Sequence, residues 1–242
     1  LMWDAGDAIL AVYESSDLGI ATKIDQSPVT RADLAAHQVL VAGLSALTPD
    51  IPIVSEEDPE SLRVPETHAL FWLIDPLDGT KEFIRRNGEF TCNLALIDAQ
   101  RTVYGLVSVP VLDLLYRGGQ GLGAKRLTRD GFETVIQCAK QTGLTRVVAS
   151  KSHLNSETTA FIAEIETPVE LIQAGSSLKF LRIAEGAADL YPRLAPTCEW
   201  DTAAAQAVLE GAGGSVTQVD GPPLVYGKSE ILNPHFVARA HY

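Results

Sequence analysis

Apolar positions change period along this chain, and each change predicts an element. Residues 2–14 set Ile9, Leu10, Val12 and Tyr13 on one helical face, and because Leu1 to Leu10 is already helical in pattern, the helix is expected to begin before residue 1 in the full protein. Ile20 to Asp25 and Pro28 to Thr30 predict two short strands around the turn Gln26-Ser27-Pro28. A second helix is expected over residues 31–47, with Leu34, Leu40, Val41, Leu44 and Leu47 inward. Thr30-Arg31-Ala32-Asp33 opens it in the pattern of a capping box, and Thr48-Pro49-Asp50 closes it. Ile51 to Val54 predicts a short strand running into Ser55-Glu56-Glu57-Asp58-Pro59, and residues 59–68 read as a polar loop. Then comes the unbroken apolar run Leu70-Phe71-Trp72-Leu73-Ile74, ended by Asp75. It predicts a buried strand, after which Pro76 turns the chain.

Phe90 to Ile97 and Val103 to Val109 alternate as strands joined at Asp98-Ala99-Gln100. Leu114 to Arg117 and Ala124 to Leu127 flank a glycine cluster, Gly118 to Gly123, that lacks the GxGxxG spacing and reads as turn chemistry. Residues 128–143 are mixed and polar and read as a crossing between domains. From Thr145 the rhythm is β-α-β: strand Arg146 to Ala149, helix 155–166, strand Val169 to Ile172, then a helix from Ser177 to about Ala184. Strand Ala188 to Pro192, an Ala-rich helix over 201–212 and strands Ser215 to Val219 and Phe236 to Ala238 complete the pattern. The fold class expected is α/β: an α+β domain over residues 1–135 and an α/β domain over 136–242.

Composition narrows the function. The chain has 242 residues, 46% hydrophobic and 21% charged, which is ordinary for a globular protein with a sizeable core. A net charge of −12 argues against binding a nucleic acid polymer or an anionic membrane surface, but not against a small phosphorylated molecule held through cations. Cys92, Cys138 and Cys198 are odd in number and far apart, which suits a reducing cytosol. No apolar run has the length of a membrane span and no signal peptide is visible.

Acidic residues recur at the ends of the predicted elements: Glu56 and Glu57 after one strand, Asp75 and Asp78 after the next, Asp201 at a helix start, Asp33 at another. Crowded carboxylates repel one another unless cations lie between them. With no Cys or His in zinc spacing, all-oxygen ligands point to Mg²⁺, with Mn²⁺ as an alternative. Phosphate oxygens are natural co-ligands, and Gly79 and Thr80 would start a helical turn whose N–H groups can hold an anion. Two such metals about 3.5–4 Å apart would activate water and stabilise the leaving oxygen of an in-line displacement. Other phosphate machinery fails on spacing: Asp75 and Asp78 do not form D-x-D, no cysteine has Arg six residues on, Gly227-Lys228-Ser229 has Pro222 where a P-loop needs its first glycine, and Gly79 is one position early for an EF-hand. The bland alternative for Asp33 is its capping box alone.

The stretches Ser27-Pro28-Val29-Thr30-Arg31-Ala32-Asp33, Ser55-Glu56-Glu57-Asp58, Asp75-Pro76-Leu77-Asp78-Gly79-Thr80 and Glu199-Trp200-Asp201-Thr202-Ala203-Ala204 together resemble the inositol monophosphatase superfamily of Mg²⁺-dependent, lithium-sensitive phosphatases. Asp78 to Ile84, Arg86 to Phe90, Gly175 to Phe180 and Asp189 to Arg193 resemble its 3′(2′),5′-bisphosphate nucleotidase branch. The resemblance implies a layered αβαβα sandwich of the inositol monophosphatase and fructose-1,6-bisphosphatase type. It implies one Mg²⁺ on Glu56, Asp75 and the Leu77 carbonyl, a second on Asp75, Asp78 and Asp201, and a looser third on Glu56 and water, with Li⁺ and Ca²⁺ inhibitory. Thr80 paired with Asp33 would orient and deprotonate the attacking water, and Gly79 and Thr80 N–H groups would bind the departing phosphate. Ser176, Lys179, Tyr191 and Arg193 would face the nucleotide and its 5′-phosphate, Glu199 would lie near the ribose, and Ser150-Lys151-Ser152-His153 would join that wall. For Lys179 and Tyr191 the alternative is ordinary helix and strand surface. The expected reaction removes the 3′-phosphate of 3′-phosphoadenosine 5′-phosphate, giving AMP and phosphate, with the 5′-phosphosulfate a further substrate, in a cytoplasmic monomer or homodimer that is at most peripheral to the inner membrane. An inositol or sugar phosphatase is the alternative activity. A noncatalytic metal-binding regulator is the alternative class, against which the Thr80–Asp33 pair argues, since a binder needs no water-activating pair.

Overall fold

The computed structural model describes residues 1–23, 26–140, 143–149 and 155–240. Two helices come first, α1 (Met2–Tyr13) and α2 (Arg31–Leu47), separated by a small antiparallel hairpin of β1 (Ala21–Thr22) and β2 (Pro28–Val29). The predicted strand over 20–25 shrinks to β1, and Ile24 and Asp25 lie outside the described residues. The inward stripe of α2 is Ala32, Ala36, Leu40 and Leu44, one residue per turn, packed with Met2, Ala5 and Ile9 of α1. Leu34 and Leu47, expected inward, are exposed, because small alanines let the two helices approach along a narrower seam.

A seven-stranded sheet follows in the order β3 (Ile53–Ser55), β4 (Leu70–Asp78), β5 (Thr91–Asp98), β6 (Arg101–Val109), β7 (Leu114–Gly119), β8 (Gly123–Thr128) and β9 (Glu133–Ile136). Only the β3–β4 pair is parallel. The predicted polar loop 59–68 is a 3₁₀ helix, Pro59–Glu66, and the stretch 128–143 contributes strand β9 rather than a bare crossing. Proline at the start of the 3₁₀ helix and an Asp58 cap on the Glu60 N–H favour the tight helical turn over coil.

The second sheet has the order β11 (Val169–Gln173), β10 (Thr145–Ala149), β12 (Leu190–Arg193), β14 (Phe236–Arg239) and β13 (Ser215–Gln218). β10 is parallel to β11 and β12, and β14 is antiparallel to both of its neighbours. Helices α4 (Ser156–Ala163), α5 (Leu178–Ala184) and α6 (Ala203–Gly211) complete the chain, with the short α3 (Thr80–Ile84) after β4.

Side-chain alternation resolves five layers. On the first sheet Ile74, Leu94 and Leu115 face α1 and α2, while Leu73, Ala95 and Tyr116 face α5 and α6. On the second sheet Val148, Tyr191 and Phe236 face α5 and α6, while Val147, Leu190 and Val237 face α4. The order is therefore α, β, α, β, α, as the resemblance implied. Helix α6 is sequestered on almost every side, and its approach to the first sheet depends on glycine: a Cβ at Gly105 would stand 2.1 Å from the Ala204 carbonyl oxygen.

Candidate active site

The site begins as an irregularity in β4. The pairing steps from Asp75 opposite Asn93 to Asp78 opposite Thr91, so three residues of β4 face two of β5. This is a bulge, and it corrects the expectation that Pro76 turns the chain at Asp75: the strand runs on to Asp78, with Pro76 inside the bulge where its missing N–H breaks no ladder. Residues three apart in a regular strand point to opposite faces. The extra residue cancels that, and both carboxylates reach one place. Asp201 joins them from the 3₁₀ turn Glu199–Asp201 that leads into α6. One oxygen from each of Asp75, Asp78 and Asp201 lies within 4.8 Å of the others.

The three acids are held differently. Asp75 Oδ1 accepts the Leu77 N–H at 3.0 Å, while its buried Oδ2 has no hydrogen-bond partner among the described residues. Asp78 Oδ2 accepts from Ser176 Oγ (2.6 Å), the Ser177 N–H (2.7 Å) and Ser177 Oγ (2.9 Å), which ties the first sheet to the start of α5. Asp201 Oδ2 accepts the Cys198 N–H at 2.8 Å. Burial, and then the charges of Glu56, Asp78 and Asp201, push Asp75 well above the usual carboxylate range. Burial and then Asp78 and Glu56 push Asp201 up to about 8. A buried carboxylate oxygen without a donor, in a cluster of like charges, is the environment a divalent cation satisfies. These residues fit that group.

Glu56 is outside the three-acid cluster, but its carboxyl adjoins that of Asp75. Its N–H donates to the Ile74 carbonyl at 3.2 Å, which seats it beside β4, but its side chain accepts from Lys23 Nζ at 2.7 Å. Burial raises its carboxyl, and the Lys23 ammonium opposes that rise.

Thr80 opens α3 behind Gly79, which at φ 93° takes a conformation open to glycine. Thr80 Oγ donates to Asp33 Oδ1 at 3.3 Å and lies 3.4 Å from the Leu77 carbonyl oxygen. Asp33 is buried, and its other oxygen accepts the Thr30 N–H (2.7 Å) and Thr30 Oγ (2.6 Å). The capping box is real, yet it uses only Oδ2 and leaves Oδ1 for Thr80. Burial raises the Asp33 carboxyl against the Thr30 hydrogen bonds that lower it.

Beside the acids lies a cavity of about 130 Å³, lined by Asp78, Gly79, Ser176, Lys179, Tyr191, Arg193 and Asp201 among others. Lys179 is almost fully buried; its ammonium donates to the Ser176 carbonyl at 2.6 Å and stands 5.3 Å from the Tyr191 ring centre. Burial brings its pKa down to about 8, against the pull of Asp78. Arg193 Nε is buried and has no hydrogen-bond acceptor among the described residues. Ser176 itself sits at φ 49°, a left-handed conformation that is costly for a serine.

Glu199 is not among the residues lining this cavity. Its carboxylate accepts the N–H groups of Gly227 (2.6 Å) and Lys228 (3.1 Å) and the Lys228 ammonium, so it anchors that turn rather than facing the cavity. Ser150 to His153 lie outside the described residues. Residues given no role by the sequence also enter the site: Lys23, and Ser177, whose hydroxyl binds Asp78 and receives the Asn93 amide at 3.0 Å. Nothing in the local pattern marks Lys23, whereas Ser177 adjoins Ser176 after a glycine. Gly175 allows the close fit there, since a Cβ on it would meet the Glu89 carbonyl oxygen at 2.8 Å.

The fold corresponds to a known family. The inositol monophosphatase family model matches residues 1–241, and the chain belongs to that family. It is 45% identical over 235 residues, 96% of this chain and 94% of the relative, to the 3′(2′),5′-bisphosphate nucleotidase CysQ of Escherichia coli strain K12. The crystal structure of CysQ from Bacteroides thetaiotaomicron, a bacterial member of the family, superposes with a TM-score of 0.87 at 41% identity, covering all of this chain and 94% of that one. An inositol monophosphatase from Anabaena sp. PCC 7120 shares the fold, with a TM-score of 0.73 at 24% identity over 98% of this chain and 85% of its own. Among the described residues no helix is long and apolar enough to cross a membrane.

Proposed function

We propose that this chain is a Mg²⁺-dependent 3′(2′),5′-bisphosphate nucleotidase that hydrolyses the 3′-phosphate of 3′-phosphoadenosine 5′-phosphate in the cytoplasm. The observation that carries the reading is the orphaned Asp75 Oδ2 within a cluster of three carboxylates, next to a threonine hydroxyl paired with a buried aspartate. Likeness to the bisphosphate nucleotidases named CysQ supports the substrate. In this reading Glu56, Asp75 and the Leu77 carbonyl would hold one divalent ion, and Asp75, Asp78 and Asp201 would hold another. When bound, such ions neutralise the cluster, polarise the phosphate and lower the pKa of water.

The chain's own groups do the rest. Thr80 Oγ accepts a hydrogen bond from the attacking water and relays its proton to Asp33 Oδ1. The water oxygen bonds to phosphorus, the phosphorus–O3′ bond breaks, and O3′ leaves with a proton from solvent. Gly79 and Thr80 N–H groups hold the released phosphate. Lys179 and Arg193 face the 5′-phosphate, and Tyr191 and Ser176 complete the nucleotide wall. The unpartnered Arg193 Nε supports an anionic group there, because a buried guanidinium donor without an acceptor is costly. Purified protein with Mg²⁺ should release phosphate faster from the adenosine bisphosphate than from inositol 1-phosphate; the reverse order would move the chain to the inositol and sugar phosphatases.

A further inference from the structure

Lys23 reaches the acidic site from the β1–β2 hairpin. Its backbone is fixed at the turn of that hairpin: its N–H donates to the Ser27 carbonyl at 2.8 Å, and its carbonyl accepts the Gln26 N–H at 3.0 Å. From there the ammonium donates to Glu56 Oε1 and to Glu57 Oε1, each at 2.7 Å. The Glu57 side chain is 5% exposed and the Lys23 side chain 20%, so water screens the trio poorly. Glu57 has no part in the ligand sets assigned above, yet it is the more buried of the two acids.

We propose that Lys23 is a built-in counter-cation of the site, competing with a divalent ion for Glu56 and retreating to Glu57 when the ion binds. The inference rests on the reading of Glu56 as a metal ligand. Lys23 Nζ already engages Oε1 of Glu56, so an ammonium and a divalent cation on this one carboxylate repel each other and each weakens the other's hold. Glu57 then has a defined role, because it keeps a partner for Lys23 after Glu56 turns away, which lowers the cost of release. The competition also reaches the proton-accepting pair, because the hairpin that carries Lys23 runs through β2 into Thr30, whose N–H and hydroxyl hold Asp33.

The test is calorimetric titration of Mn²⁺ into the metal-free full chain, with no substrate. K23M should bind Mn²⁺ more tightly than wild type, by roughly fivefold or more, within the range of couplings in one salt-bridge network. K23R, which keeps the charge, should stay close to wild type. E57Q should bind more weakly than wild type when Lys23 is present, and the effect of E57Q should vanish in K23M/E57Q. Simple through-space attraction predicts instead that E57Q weakens binding equally in both backgrounds, and that result overturns the proposal, as does a K23M affinity equal to or below wild type. E56Q tests the underlying reading separately: an unchanged Mn²⁺ affinity there removes Glu56 from the ligands and the competition with it.

Discussion

At the scale of single residues, Asp75 and Asp33 are both buried acids with raised carboxyls, yet their surroundings differ. Asp33 has a donor on each oxygen, one of them the Thr80 hydroxyl; Asp75 has an oxygen without a donor among the described residues. Asp75→Asn should therefore abolish the stabilisation of the protein by Mg²⁺ and reduce turnover by about 10² or more, the scale of losing one preorganised charge. Asp33→Asn should keep the Mg²⁺-induced rise in Tm while losing roughly 10²–10⁴ in kcat, the scale of a general base. Thermal unfolding with and without Mg²⁺, beside phosphate release, checks both, and a lost metal response in the Asp33 variant would merge the two roles. The motif acids were legible because a carboxylate at an element end has few bland explanations when three recur. Glu199 was legible as a residue but not as a role, because the turn at Gly227 and Lys228 that occupies it comes from a segment with no motif. Lys23 was invisible for the same reason: its partners lie more than thirty residues away and only the hairpin brings them together.

At the scale of elements, period and burial carried the reading as far as regular geometry extends. Alternation and helical spacing pointed to the strands and helices of the core, since the physics that buries them is local in pattern. The bulge in β4 was not legible, because the period-2 signal is lost at Asp75 and Pro76 suggests a turn as readily as a bulge. Phe83 shows a similar limit. It lies in a stretch that resembles the nucleotidase branch, but its ring is fully buried between Tyr13 and Phe90, with centroids 5.2 Å from each, and it anchors the helix that starts with Thr80. Helix α6 offers the clearest test of how an element positions chemistry. Its close contact at Gly105 sets where the turn bearing Asp201 comes to rest. Gly105→Ala should destabilise the protein by about 1–3 kcal/mol through overpacking against Ala204 and should weaken Mg²⁺ binding, although residue 105 carries no ligand. Urea unfolding and a metal titration on the same variant check the two effects, and unchanged metal affinity would detach Asp201 from the packing of α6.

At the scale of the whole molecule, the site is where two sheets bring acids from opposite ends of the chain into a poorly solvated space, so folding itself works against their charges. Asp201 titrates near 8 in the fold and near the ordinary aspartate value when unfolded. The folded state therefore binds more protons than the unfolded one between about pH 4 and pH 8, and stability of the metal-free protein falls as pH rises through that window. Asp33, Glu56 and Asp75 are displaced upward as well and add to the same slope. Lys179 acts elsewhere: lowered to about 8 from near 10.5, it gives a folded state with fewer protons only above pH 8, where it makes stability rise with pH. Divalent ions reverse the acid contribution, because they bind the deprotonated carboxylates and add stability in proportion to occupancy. Unfolding followed in chelator should thus show Tm falling from pH 5 to pH 8, while saturating Mg²⁺ should flatten or invert that fall. A metal-free Tm that climbs steadily across this range would mean that the cluster is not the dominant charge strain in the fold.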